Sequence, residues 1–188
     1  MSYFPIRACY LLFLLLFAME AFVEASAQEL LQVQQGVFTD GVDHGLKTYK
    51  RAYTSPVSPP QISFWTLVRG TPELLAAMKN DPNGQVRIRH VWRRYVQDEV
   101  QTERDQVLFI GSKQDLQSLE NQVVATGFFT WRTWSDKQVI PGDWRVDVLW
   151  ENDEPVACSD ANGERRDCSF PFQVQSRRDV PTPARKPG

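Results

Sequence analysis

The residues with chemistry in them are two histidines, three cysteines and several short acidic runs. His44 follows Asp40 and Asp43 between Gly41 and Gly45, the residue types of a loose metal site, and an Asp-rich turn is the simpler reading of the same stretch. A structural zinc site wants four nitrogen or sulfur ligands, and no such set is spaced along this chain. His90 falls on the apolar phase of an alternating segment, where a hydrogen-bonded core histidine is expected. Asp160-x-Asn162-Gly163 copies part of a calcium loop, but Cys158 stands two residues before Asp160 and no Glu follows at the closing position. A tight turn explains it better. Asp98, Glu99, Glu103 and Asp105 read as a solvated turn, since a glycosidase pair needs two carboxylates held about 5 to 10 Å apart across a cleft. Neither G-x-S-x-G nor S-x-x-K occurs. The expectation is a non-enzyme with no catalytic residues, metal ligands or cofactor.

The cysteines also speak to compartment. Arg7 precedes an apolar run from Tyr10 to Met19, and Ala25-Ser26-Ala27 follows as a small-x-small cleavage pattern. This reads as a signal peptide over residues 1–27. A run of about 10 apolar residues is too short for a bilayer core that needs about 20; retention as an anchor is the alternative. Cleavage would remove Cys9 and leave Cys158 and Cys168, an even count in an exported chain, hence a disulfide. The two flank Asn162-Gly163, a hairpin-turn signal. A redox-active pair would instead favour C-x-x-C spacing. The mature chain is expected to be periplasmic or secreted and not membrane-spanning.

Removing residues 1–27 turns 21 basic and 23 acidic side chains into 20 and 21, because Arg7, Glu20 and Glu24 leave. That balance argues against nucleic acid, which selects for a basic face. The 188-residue chain carries six Trp and 12% aromatic residues, too many for a disordered polymer.

The elements that must position these residues are mostly strands. Residues 28–60 read as a glycine-containing lead-in ending in the proline-rich break Ser55 to Pro60, and 61–174 as one β-sandwich domain. Gln61 to Arg69 is strand-like. Thr71-Pro72-Glu73 opens a short helix with Leu74, Leu75 and Met78 on one side. Gln85 to Tyr95 alternates, with His90 and Trp92 on the apolar phase. Asp98 to Asp105 is expected to be a charged turn, Val107 to Ile110 a short strand, Ser112 to Glu120 a helical turn, and Gln122 to Trp134 a long strand. Trp144, Val146, Val148 and Trp150 alternate with Arg145, Asp147 and Leu149. Residues 175–188 read as a disordered tail. Short strands with turns every 8 to 12 residues predict an all-β, immunoglobulin-like β-sandwich with one or two short helices; a small β-barrel is the alternative. Trp92, Phe129, Trp144, Val146 and Val148 are the expected core.

His90-x-Trp92, Trp131-Arg132-Thr133-Trp134-Ser135-x-Lys137, Pro141-Gly142-x-Trp144-x-Val146-x-Val148 and Phe172-x-Val174 form a series over roughly Ile62 to Val174. It resembles a bacterial family catalogued as a domain of unknown function, whose members are secreted or membrane-attached modules. The resemblance implies a β-sandwich and an exported location, and brings no activity. The Leu74–Asn80 helix and the Cys158–Cys168 pair depart from the family pattern.

The aromatic excess remains to be explained. A two-sheet sandwich buries one face of each sheet, so some of Trp65, Trp134 and Tyr95 should be exposed beside Arg89, Arg93, Arg132 and Arg145, as in a protein-binding patch or a sugar-stacking platform. Alternatively these rings lie under long loops and the arginine stems cover them. The function expected is a binding module for a cell-envelope protein partner, with a carbohydrate-binding module for wall or extracellular polysaccharide as the alternative.

Overall fold

The computed structural model describes residues 30–55, 57, 60–159 and 164–176. The expected signal peptide, the Asn162-Gly163 turn and most of the expected tail lie outside them. In chain order the elements are β1 (Leu31–Thr39), β2 (Val42–Asp43), β3 (Thr48–Tyr49), β4 (Gln61–Gly70), α1 (Pro72–Asn80), β5 (Val86–Val96), β6 (Glu99–Ile110), α2 (Leu116–Thr126), β7 (Phe129–Gln138), β8 (Gly142–Trp150), β9 (Ala157–Ser159), β10 (Arg165–Asp167) and β11 (Ser169–Val174). A five-stranded sheet in the order β10-β9-β1-β4-β7 faces a four-stranded sheet in the order β11-β8-β5-β6, and β2-β3 forms a separate ribbon. The fold is an all-β sandwich, not a closed barrel. Among the described residues no helix is long and apolar enough to cross a membrane.

Alternation builds the interior. Ile88, His90 and Trp92 of β5 and Trp144, Val146 and Val148 of β8 point inward and are buried with Phe64, Phe129 and Phe172. Phe172 joins the two sheets, with its ring centroid 4.1 Å from Phe38 and 6.0 Å from Trp92. At Gly70 a Cβ would sit 2.1 Å from the Phe129 ring, so the glycine lets that ring lie flat on the opposing strand. Arg104 donates to the Asp136 carbonyl of β7 and Lys137 donates to the Glu103 carbonyl of β6 at 3.1 Å. These bonds lace the two facing edge strands together and occupy carbonyls that would otherwise invite another strand.

α1 matches its sequence signals. The Thr71 hydroxyl accepts from the Leu74 N–H at 3.3 Å, Pro72 opens the first turn, and Leu74, Leu75 and Met78 are buried.

Three stretches differ from expectation. Residues 28–60 are not merely a lead-in, because β1 sits in the middle of the five-stranded sheet between β9 and β4. Its alternation is broken by a bulge between Val33 and Gln35, which shifts the inward positions from Leu31 and Val33 to Gly36 and Phe38. The charged run Asp98 to Asp105 is not a turn but most of β6. The turn is confined to Gln97 and Asp98, whose φ angles of 50° and 66° suit a tight two-residue hairpin. From its place opposite Val91, Asp105 reaches diagonally to Arg89, and Glu103 reaches Arg94, so charges that suggest solvent are satisfied on a strand. Finally, Gln122 to Thr126 is helix rather than strand. Leu116, Leu119 and Val123 repeat at helical spacing, and Gly127 ends α2 with φ 81° and its N–H on the Val123 carbonyl at 2.8 Å.

Candidate functional site

The residues singled out from the sequence divide between opposite sides of the sandwich. Trp65, Arg132 and Trp134 belong to the outward positions of β4 and β7, where Trp65 pairs directly with Trp134. Tyr95, Arg89 and Arg93 belong to the outward positions of β5. They do not form one patch.

On the β4–β7 side, the segment from Asp40 to Arg51 folds back over the sheet as the β2-β3 ribbon. Asp43 builds its turn by accepting the Gly45 and Leu46 N–H groups, each at 2.9 Å. Those backbone bonds hold the Asp43 carboxyl below its usual range. The ribbon then supplies contacts to each indole beneath it. The Trp65 Nε1–H donates to the Lys47 carbonyl at 2.9 Å, and Tyr49 meets the Trp65 ring edge-on at 5.1 Å. His44 lies edge-on to Trp134 at 5.1 Å, and Lys47 Nζ stands 4.3 Å from the Trp131 centroid. Trp65 is therefore only 4% exposed, which removes it from the expected binding surface. Trp134 is half-buried and Arg132 exposed. The physical reason is local: a ribbon too short to have its own core gains one by lying on aromatic faces.

The β5–β6 side has no such cover among the described residues. Tyr95, Val100, Val107 and Phe109 are 41, 43, 45 and 48% exposed. Register puts them on one face, since Tyr95 pairs with Val100, Arg89 with Val107 and Arg87 with Phe109. Beside them runs a network of ion pairs. Arg87 meets Glu151 at 2.9 Å; Arg89 meets Asp105 and, at 2.5 Å, Asp153. The Asp105 bond heads the causes that raise the Arg89 pKa, so this guanidinium stays charged. Arg93 and Arg145 approach Asp147 at 3.0 and 3.2 Å, but neither Nε has hydrogen-bond geometry, so these are ion contacts. The Ser169 hydroxyl donates to Asp147 at 2.7 Å, and Arg145 donates to the Tyr95 hydroxyl at 3.0 Å. Arg93 and Arg145 also line a cleft of about 280 Å³ beside Cys168, shared with Asp147, Asp153 and Asp167.

Sequence reading missed Val100, Val107 and Phe109 as surface residues. The available signal was parity, since Val107 and Phe109 alternate with the buried Leu108 and Ile110.

One pair stands at nucleophile–base distance. His90 Nδ1 is 2.9 Å from the Ser135 hydroxyl, and 45 residues separate them in sequence, so no motif announces the pair. Both side chains have 0% exposure, and the hydroxyl also accepts the Trp92 indole N–H at 2.9 Å. The network has a single consistent direction. Trp92 donates to Ser135, Ser135 to His90 Nδ1, His90 Nε2–H to the Thr66 hydroxyl at 3.3 Å, and Thr66 to the Thr133 carbonyl at 3.3 Å. A neutral imidazole satisfies every partner, and burial lowers its pKa to about 3. This is the expected hydrogen-bonded core histidine, and its burial keeps substrates from the serine.

Among the described residues no group of three or more His, Cys, Asp or Glu is arranged to hold a metal ion. Cys158 and Cys168 form a disulfide whose two residues are each 2% exposed, with Arg166 opposite Cys158 in the β9–β10 pair. Comparison with protein-family models, curated proteins and solved structures finds no match to this chain.

Proposed function

We propose that the protein is a non-catalytic, exported β-sandwich module that binds a protein partner in the cell envelope through the outward face of β5 and β6. The observation that carries this is that Tyr95 with Val100, and Val107 with Phe109, stand half exposed on one sheet face. Apolar side chains gathered on one face and bordered by arginines are typical of protein-docking surfaces. The buried disulfide fits an oxidising compartment, and the sequence resemblance to secreted bacterial modules points the same way. Crosslinking in whole cells followed by capture should retain a stoichiometric protein on the wild-type chain and lose it in Phe109→Glu. The captured chain should begin at Gln28. Equal retention by both proteins would sink the assignment of the face, and intact chain beginning at Met1 would sink the export reading.

A carbohydrate-binding role has one observation in its favour, the half-buried Trp134 beside His44. It predicts retention on envelope polysaccharide that Trp134→Ala abolishes. Turnover of an envelope substrate by the purified protein would overturn the non-catalytic assignment.

A further inference from the structure

The disulfide closes a detour of the chain. Val148 of β8 donates its N–H to the Cys168 carbonyl at 2.8 Å, and its own carbonyl accepts the Val156 N–H at 3.0 Å. The chain thus leaves the four-stranded sheet after Val156 and rejoins it at Cys168, meeting the same residue of β8 both times. In between it supplies β9 and β10 to the end of the other sheet, where β9 lies against β1. Cys158 sits near the start of the detour and Cys168 at its end, and their bond spans a sequence separation of 10.

The ladder that holds the detour is short. β9 pairs with β1 at two positions, Gln32 with Ala157 and Val33 with Cys158, and the Gln32 amide donates to the Ser159 hydroxyl. β10 pairs with β9, and its Arg165, Arg166 and Asp167 are all exposed. Among the described residues from 157 to 168, the buried ones are Ala157, Cys158 and Cys168. Few buried apolar contacts mark a unit that can open locally while the rest of a domain stays folded.

What the detour covers has no protection of its own. An open strand edge is a template for pairing with another chain, and proteins blunt it with charge, proline or a covering segment. The β6 and β7 edges are laced by Arg104 and Lys137. β11 carries Pro171, and Val57 bonds to Gln173 and Gln175 beside it. β10 ends the five-stranded sheet with three charged residues. Residues 31–35 of β1 include neither a charge nor a proline. Beyond the bulge the β9 side of β1 is held by another segment, where Thr39 bridges to Ala52 and the Tyr53 N–H donates to the Phe38 carbonyl at 2.7 Å.

We infer that β9 and β10 are a redox-sensitive guard over the edge of β1, locked by the Cys158–Cys168 disulfide. A dithiol unlocks it: the S–S bond breaks, each cysteine sulfur takes a proton, and the dithiol leaves as a disulfide of its own. Oxidised, the charged β10 stands at the sheet edge in place of β1. Reduced, β9 and β10 come away and residues 31–35 present unpaired N–H and C=O groups. Each cysteine is 2% exposed, so reduction proceeds through local opening, and a variant carrying Cys158→Ala with Cys168→Ala supplies the unlocked state without it.

Hydrogen exchange read by mass spectrometry tests this on protein expressed from the full sequence and purified as the cell processes it. It is compared untreated, after dithiothreitol, and in the double variant. In both unlocked forms exchange should rise about 100-fold in peptides covering β9, β10 and residues 31–35, the order expected for opening a closed loop of this size. Peptides of β4, β5 and β8 should not change. Any of five results overturns the inference. Two free thiols in the untreated protein mean that there is no lock. No rise in either unlocked form means that the ladder alone holds β9 and β10. A rise in the variant but not after dithiothreitol leaves a tie that redox chemistry does not reach. A rise confined to β9 and β10 means that they do not guard β1. An equal rise in β4, β5 and β8 makes the disulfide a staple of the whole sandwich, with no separate guard.

Discussion

Trp65 and Phe109 hold matching places, each at an outward position of one of the two sheets, yet Trp65 is 4% exposed and Phe109 48%. The difference comes from the chain around them. Between β1 and β4 lies a segment long enough to return across its own sheet, and it carries a carbonyl, a lysine, a tyrosine and an imidazole to the indoles. Between β5 and β6 there is only the Gln97-Asp98 turn, which has no length to fold back. One outward face is thus covered within the molecule, and the other carries half-exposed apolar side chains with no such ribbon over them among the described residues. The comparison teaches that an aromatic residue's presence on a sheet says less about binding than the length of the neighbouring connection.

The largest expected effect tests the covered face. Trp65→Ala removes a buried indole and its bond to Lys47, and should lower unfolding free energy by about 3 to 5 kcal/mol in urea denaturation. A loss under about 1 kcal/mol would mean the ribbon does not seal that side. Next comes acid, which acts on the interior that both faces share. Burial holds the His90 pKa at about 3, below about 6.5 in the unfolded chain. The unfolded state therefore takes up the proton first. The stability that His90 contributes is fully present above about 6.5 and is lost as pH falls through the window from 6.5 to 3, at about 1.4 kcal/mol per pH unit. Denaturation midpoints at pH 7.5 and 4.5 check this, and His90→Gln should flatten the dependence.

Smaller still is Lys47→Ala. Loss of the ammonium over Trp131 should cost about 0.5 to 1 kcal/mol, while acrylamide quenching of tryptophan fluorescence rises as the ribbon loosens. The smallest expected effect belongs to the bare face. Phe109→Ala should change stability by no more than about 0.5 kcal/mol while weakening partner binding. Equal destabilisation by Trp65→Ala and Phe109→Ala would erase the contrast between the faces.

How far the sequence could be read varied by element for identifiable reasons. β4, β5, β8 and α1 were legible because each keeps one uninterrupted period, and α1 adds its Thr71-Pro72 opening. β1 was not, because the bulge after Val33 changes its parity in mid-strand. β6 was masked by charges whose partners lie on β5, and α2 by valines that suit a strand equally well. Of the three rings of which some were expected at the surface, Tyr95 is exposed, Trp134 half-buried and Trp65 buried.

Residue order alone determined the two-residue period that makes this chain a β-protein, the inward set around Trp92 and Trp144, and the core character of His90. These follow from local alternation, which needs no knowledge of neighbours. Which sheet each strand joined, and which outward face was covered, depended on contacts between residues far apart in the chain. Lys47 reaches Trp131, and His90 finds Ser135 45 residues away, only after the sandwich has closed. Burial of an outward aromatic is set by what else the fold brings over it, a property of packing that no local pattern carries.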